Sequence, residues 1–155
     1  MLKGVDHRVS AEMLHALRAI GHGDTLVLAD KNFPSDSISA QTRIGKPLPM
    51  DSLSSAEVTQ IILSLMPLDT FVDDFAMAME IVGNPSHVPT VQSEVQNVIS
   101  AVEGKGRTLQ HVERFDFYER AKAAYAVVQT GETRFYGCFI FRKGVIAQEQ
   151  LWSAL

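Results

Sequence analysis

The segment Gly21-His22-Gly23-Asp24 places an imidazole between two glycines. Imidazole ordinarily titrates near physiological pH, so it can give and take a proton in one catalytic cycle. Flanking glycines make a tight turn with little side-chain cover, which suits a proton carrier better than a core histidine. The competing reading is a surface turn on which a histidine happens to sit. Asp24 reads as part of the turn itself. Asp30 closes the apolar run Thr25-Leu26-Val27-Leu28-Ala29. A carboxylate there can hold a hydroxyl or take a proton, because open α/β sheets build ligand sites beyond the carboxyl ends of their strands. It can equally cap the next turn.

Two further segments carry chemistry. Val112 to Arg120 crowds charges and rings together, the mixture that suits a polar ligand with an apolar face, such as a sugar. Phe115 and Phe117 read as core and Glu119 and Arg120 as a solvated helix face, leaving Arg114, at a strand end, as the ligand candidate. In Tyr136-Gly137-Cys138 the glycine permits close approach of a ligand to the backbone. An ordinary strand start is the plainer reading. Cys138 has no histidine near it in sequence and reads as a small buried hydrophobe rather than a nucleophile. His111-x-Glu113 and Asp73-Asp74 lack the spaced ligand sets of zinc or calcium sites, so no metal is expected. No glycine-rich nucleotide motif is present, so a dinucleotide or P-loop site has no support.

These residues need elements to position them. Met13, Leu14, Leu17 and Ile20 recur at helical spacing, and Ser10 is a good N-cap, which predicts a helix over 10–20. Gly21 is expected to end it in the left-handed conformation. Residues 24–30 read as a strand buried on both faces. The stretch 32–51 reads as loop with short extended pieces. Ser54 and Glu57 match a capping box opening a helix that Pro67 ends. A strand is expected over 75–82, a helix over 89–102, a short strand over 108–113 and a helix over 116–124. Strands over 126–129 and 137–141 follow, with Thr130-Gly131-Glu132-Thr133 between them as the turn of an antiparallel hairpin. Alternating helices and strands predict one α/β domain over residues 1–155, with a mostly parallel central sheet flanked by helices.

The 155 residues suit one domain with a sizeable core, and 46% apolar with 21% charged residues place the chain among globular proteins. A net charge of −4 and no basic stripe argue against a nucleic-acid partner. No apolar run approaches bilayer length, and Met1 to His7 lacks the apolar stretch of a signal peptide. One cysteine fits a reducing compartment. A cytoplasmic protein without a membrane partner is the expectation.

Taken together the segments resemble the L-fucose mutarotase and D-ribose pyranase family, its fucose branch more closely. The resemblance spans most of the chain. It rests on Met1-Leu2-Lys3, Gly21-His22-Gly23-Asp24, Asp30-Lys31-Asn32-Phe33-Pro34, Arg114-Phe115-Asp116-Phe117-Tyr118-Glu119-Arg120-Ala121, Thr130-Gly131-Glu132, Tyr136-Gly137 and Lys143-Gly144-Val145, in that order. It implies an α/β fold and a cofactor-free enzyme that interconverts the anomers of L-fucose or a similar monosaccharide. It implies His22 as the catalytic proton donor, Asp30 and Arg114 as hydroxyl-holding residues, and Tyr136, Gly137 and Cys138 as the sugar-binding turn. It also implies a homo-oligomer, often a decameric ring, whose sites a neighbouring subunit can complete. Cys138 departs from the pattern by standing where the fucose branch usually has Asn, and a thiol is the poorer donor. The tail from Gln148 runs past the family's usual end, and Leu151 and Trp152 are placed at a subunit contact or on their own subunit.

In the mechanism so expected, His22 transfers the proton while Asp30, Arg114 and Tyr136 orient the ring, and Asp30, Tyr118 or a water handles the second proton. Two other classes stand beside it: a non-catalytic sugar-binding module associated with sugar uptake, and an interaction protein that kept the fold and lost the site.

Overall fold

Eleven elements are built in a computed structural model that describes residues 1–148. The expected subunit-contact residues Leu151 and Trp152 lie outside them. The centre of the molecule is a strand whose sequence left it no polar face. β1 (Thr25–Ala29) has Leu26 to Ala29 all buried. Its side chains alternate between two cores, Leu26 and Leu28 in one, Val27 and Ala29 in the other. The first core is closed by α1 (Ala11–Ala19), α3 (Ser55–Leu63) and α4 (Thr90–Glu103), through Met13, Ile62 and Val95 among others. The second is closed by α2 (Ser35–Ser39) and α5 (Arg114–Lys122), through Ile38, Phe117 and Ala121. Helices thus cover both faces of the sheet, as the sequence predicts.

The remaining strands are β2 (Leu48–Met50), β3 (Ala76–Met79), β4 (Gln110–Val112), β5 (Ala126–Thr130) and β6 (Phe139–Arg142), and the order across the sheet is β2-β5-β1-β6-β3-β4. The pairs β2–β5, β5–β1 and β3–β4 are parallel, and β6 pairs antiparallel with both β1 and β3. Five strands therefore run one way and β6 alone runs the other. The expected hairpin of the last two strands does not form. β1 lies between β5 and β6, because a strand apolar on both faces is buried best in the middle of a sheet.

Local signals explain most element ends. Ser10 Oγ accepts from the Met13 amide at 3.1 Å, and Ser54 with Glu57 forms the reciprocal capping box. Gly21 does not stop α1 in the left-handed conformation. The chain turns extended at Ile20 (φ −59°, ψ 132°), and positive φ falls instead on Gly23, at 83°. The Ile20 amide still donates to Ala16 O, and Asp24 closes the turn that follows, its Oδ2 accepting from the Gly21 amide at 2.8 Å. α5 begins two residues before the expected start, because the Glu113 carboxylate accepts from the amides of Phe115 and Asp116 and so acts as N-cap. Within the stretch read as loop, α2 follows Pro34, and β2 is an edge strand whose exposed central Pro49 lacks the donor a central strand needs.

Candidate sugar site

All five co-directional strands end at one edge of the sheet, and β6 starts there. That edge brings together the residues after β1, β3 and β4 with those just before β6. Between them lies a cleft of about 330 Å³. Asp30, Arg114, Tyr136 and Cys138 all line it, with Asn32, Phe33, Met79, Tyr118 and Phe135. Four of the six residues singled out from sequence thus share one cavity, though they come from three separate chain segments.

Asp30 is 4% exposed and serves the fold as well as the cleft. Its Oδ1 accepts from the amides of Asn32 (2.9 Å) and Phe33 (3.0 Å), and its Oδ2 accepts from the Gly137 amide (3.3 Å). The turn-capping reading is thereby realised. Two carboxylate oxygens have about four acceptor sites, so three backbone donors leave room for one hydroxyl.

Arg114, at the first position of α5, stacks its guanidinium over the Phe115 ring at 4.8 Å, and its buried Nε finds no acceptor among the described residues. A buried guanidinium N–H without an acceptor is costly unless a ligand supplies one. Tyr118 follows four residues later on the same helix face. Burial pushes its phenol above the ordinary range, with the nearby Cys138 and Asp30 adding to the effect, so it stays protonated and able to donate.

Tyr136 carries the one positive φ outside glycine among the described residues, 62°. Its hydroxyl accepts from the Val82 amide at 3.2 Å, which leaves its own proton to donate. Gly137 donates its N–H to Asp30, and its carbonyl accepts from Ser55 Oγ (2.9 Å). A Cβ at 137 would lie 2.6 Å from Glu132 Cγ. The glycine therefore serves close approach of the chain's own Glu132, and its polar backbone atoms are already engaged. Cys138 is 2% exposed, and its Sγ accepts from the Asp30 amide at 3.5 Å. Burial pushes the thiol well up, so it is no thiolate. Small and neutral, it forms part of the cleft wall.

Behind this turn lies an ion pair absent from the sequence reading, a buried carboxylate met by an exposed guanidinium. Glu132, 4% exposed, accepts from Arg134 Nε at 2.8 Å, and Arg134 also reaches Glu94 at 2.7 Å. The Arg134 hydrogen bond holds the Glu132 carboxyl below the usual carboxylate range despite its burial.

His22 stands elsewhere. It lies on the turn before β1, at the opposite edge from Asp30. A five-residue strand spans about 16 Å, so no side chain crosses that distance. The imidazole is about half-exposed, and its Nε2 lies 3.0 Å from Oδ2 of Asp69, a carboxylate 3% exposed. Asp69 Oδ1 accepts from the Phe71 amide at 3.1 Å, and the Phe71 ring meets the imidazole edge-on. The sequence reading missed Asp69, since 47 residues separate the pair. Its neighbour Leu68 bridges to Lys143 while Gly23 N donates to Lys143 O, so three distant segments meet at this edge. Among the described residues no group of three or more His, Cys, Asp or Glu side chains is gathered as a metal would require.

The fold and cleft define a class: a mixed-sheet α/β protein with an aromatic-walled cleft carrying several polar groups, at the carboxyl edge of its parallel strands. Comparison with known proteins gives the family. A family model described as the RbsD / FucU transport protein family matches residues 3–146, and the chain belongs to that family. It is similar to the fucose mutarotase of Homo sapiens, at 43% identity over 153 residues, covering 97% of each chain. Among solved structures, protein Atu2016 superposes with a TM-score of 0.92 at 54% identity, over 95% of this chain and 97% of that one. The Streptococcus pneumoniae fucose mutarotase in complex with L-fucose superposes at 0.84 with 37% identity, over 94% and 100%.

Proposed function

We propose that this chain is a monosaccharide mutarotase that interconverts the α and β anomers of L-fucose or a sugar of similar shape. The observation that carries it is the cleft: an Arg114 donor without an acceptor, a Tyr136 hydroxyl with a free proton, a Tyr118 phenol and a remaining lone pair on Asp30 converge on one polyol-sized space. The similarity to a fucose mutarotase solved with L-fucose supports it.

Changing anomer requires opening the hemiacetal. The ring oxygen takes a proton, the anomeric hydroxyl loses one, and the free carbonyl recloses from its other face. The bond between the anomeric carbon and the ring oxygen breaks and re-forms with no change of oxidation state, so no redox cofactor or covalent enzyme intermediate is needed. A well-placed acid or base contributes on the order of 10²–10⁴-fold. Asp30, Arg114 and Tyr136 hold the ring, Gly137 and Cys138 shape the turn beneath it, and His22 transfers the proton.

A single chain keeps His22 a strand's length from its own cleft, so His22 acts in the cleft of a neighbouring subunit. Both edges have the surface for such a contact. Phe71, 74% exposed, flanks His22, and Phe135, 75% exposed, rims the cleft. Two different patches meeting head to tail generate a ring when the rotation closes, and a decamer is the form expected from the resemblance. No helix of the described residues is long and apolar enough to cross a membrane. A buried free thiol fits a reducing compartment, and we assign the chain to the cytoplasm.

The test is two-dimensional exchange NMR on α- and β-L-fucose, with wild type and His22→Ala at substoichiometric protein. Wild type should accelerate exchange and the variant should lose at least 100-fold of the acceleration. Binding without acceleration by wild type would make the protein a sugar-binding module. Equal rates for both proteins would remove His22 from the mechanism.

A further inference from the structure

Gln92 sits in the first turn of α4, 1% exposed. A buried amide must find partners for both of its ends. Its Nε2 lies 2.8 Å from the carbonyl of Met79 and 3.1 Å from the carbonyl of Tyr136. Its Oε1 lies 3.1 Å from Nε2 of His111 on β4. Backbone carbonyls only accept, so the amide nitrogen must be the end that faces them. The oxygen then needs a donor, which assigns the His111 proton to Nε2. One side chain thus ties α4 to β4, to the end of β3 and to the turn before β6.

The two carbonyls belong to residues that both line the cleft, on the neighbouring segments at the end of β3 and the start of β6. Tyr136 is also the residue whose φ of 62° a non-glycine residue holds only where its surroundings fix it. We propose that Gln92, backed by His111, is a positioning residue for the sugar cleft. Its amide holds Tyr136 in the left-handed conformation and sets the spacing between Tyr136 and Met79. The Tyr136 hydroxyl and Arg114 then face one ligand. Gln92 touches no sugar and acts through Tyr136. This role rests on the mutarotase reading above.

The experiment uses the full chain carrying Gln92→Met, which keeps length and loses both hydrogen-bonding ends, and His111→Phe, which removes only the exposed partner. Two readouts are taken: amide hydrogen exchange at Gly137, next to the clamped residue, and KM and kcat for L-fucose anomer exchange. Gln92→Met should speed Gly137 exchange at least tenfold while the β1 amides stay as protected as in wild type. KM should rise about tenfold with kcat changed less than threefold. His111→Phe should move both in the same direction by about threefold, and carries the test if Gln92→Met fails to fold. Wild-type protection at Gly137 in the folded variant, or a loss confined to kcat, overturns the assignment. If wild type does not accelerate anomer exchange, the mutarotase reading falls, and the Gly137 amide still decides whether Gln92 clamps the turn.

Discussion

The two ends of β1 are built on opposite principles. At its carboxyl end the candidate binding groups are held from behind: Asp30 by three backbone amides, Tyr136 by Gln92 and Val82, Gly137 by Ser55 and by close approach to Glu132. At its amino end a half-exposed histidine leans on one buried carboxylate and an exposed phenylalanine. Binding several hydroxyls in a fixed geometry favours groups that are immobilised before the ligand arrives. Proton delivery into another chain's cleft favours a group that stands proud of its own surface. In the proposed function, recognition falls to one end of the strand and proton transfer to the other, and the proposed oligomer becomes part of the chemistry.

Separate substitutions break the two functions apart. Arg114→Leu should weaken L-fucose binding about 10- to 100-fold, the loss of one or two charge-assisted hydrogen bonds. His22→Ala should leave the affinity within about twofold while removing acceleration, because recognition is assigned to the other end. Calorimetry on both proteins checks the pair. A His22→Ala variant that binds sugar as poorly as Arg114→Leu would merge the two ends into one function.

A smaller effect tests how rigid the cleft end is. Gly137→Ala places a methyl against Glu132 Cγ and should destabilise by about 1–3 kcal/mol, the cost typical of overpacking. Gly23→Ala, at the His22 end, meets nothing within 4 Å and should cost only its left-handed conformation, about 1 kcal/mol. Denaturant unfolding of the two variants ranks them, and equal losses would deny the cleft its tighter packing.

The smallest expected effect appears under acid. Glu132 has its carboxyl lowered in the folded protein, so its contribution is fully present above the ordinary carboxylate range, near 4.3 when unfolded. It fades as pH falls through the lower folded value. Thermal unfolding of wild type and Glu132→Gln should therefore differ by a constant amount from neutral pH down to about pH 5 and converge below it. Convergence on the alkaline side instead would contradict the ion-pair account.

Much of the cleft was legible in the sequence because strand ends are. An apolar run followed by Asp30, and Arg114 just past the short strand expected over 108–113, both place side chains at the carboxyl edge. The N-cap at Ser10 and the capping box of Ser54 and Glu57 were legible for the same local reason. Strand partnership was not: the runs 126–130 and 139–142 carry no mark that β1 lies between them, because adjacency is decided by which strand has most apolar surface to bury. The positive φ at Tyr136 and the bond from the Gln92 amide to the Tyr136 carbonyl were hidden, the two residues lying 44 apart. Asp69 was hidden likewise. The sequence shows His22 as exposed but not that its own cleft lies beyond its reach.

Subunit complementation tests that last point directly. His22→Ala and Arg114→Leu each lack one half of the site, on different edges of the chain. Co-expressed in equal amounts and randomly assembled head to tail, about a quarter of the interfaces should pair an intact His22 with an intact cleft. The account predicts roughly a quarter of wild-type anomer exchange from the mixed oligomer. Activity no greater than the sum of the two separate variants would contradict it and return the proton-transfer step to a group within a single chain.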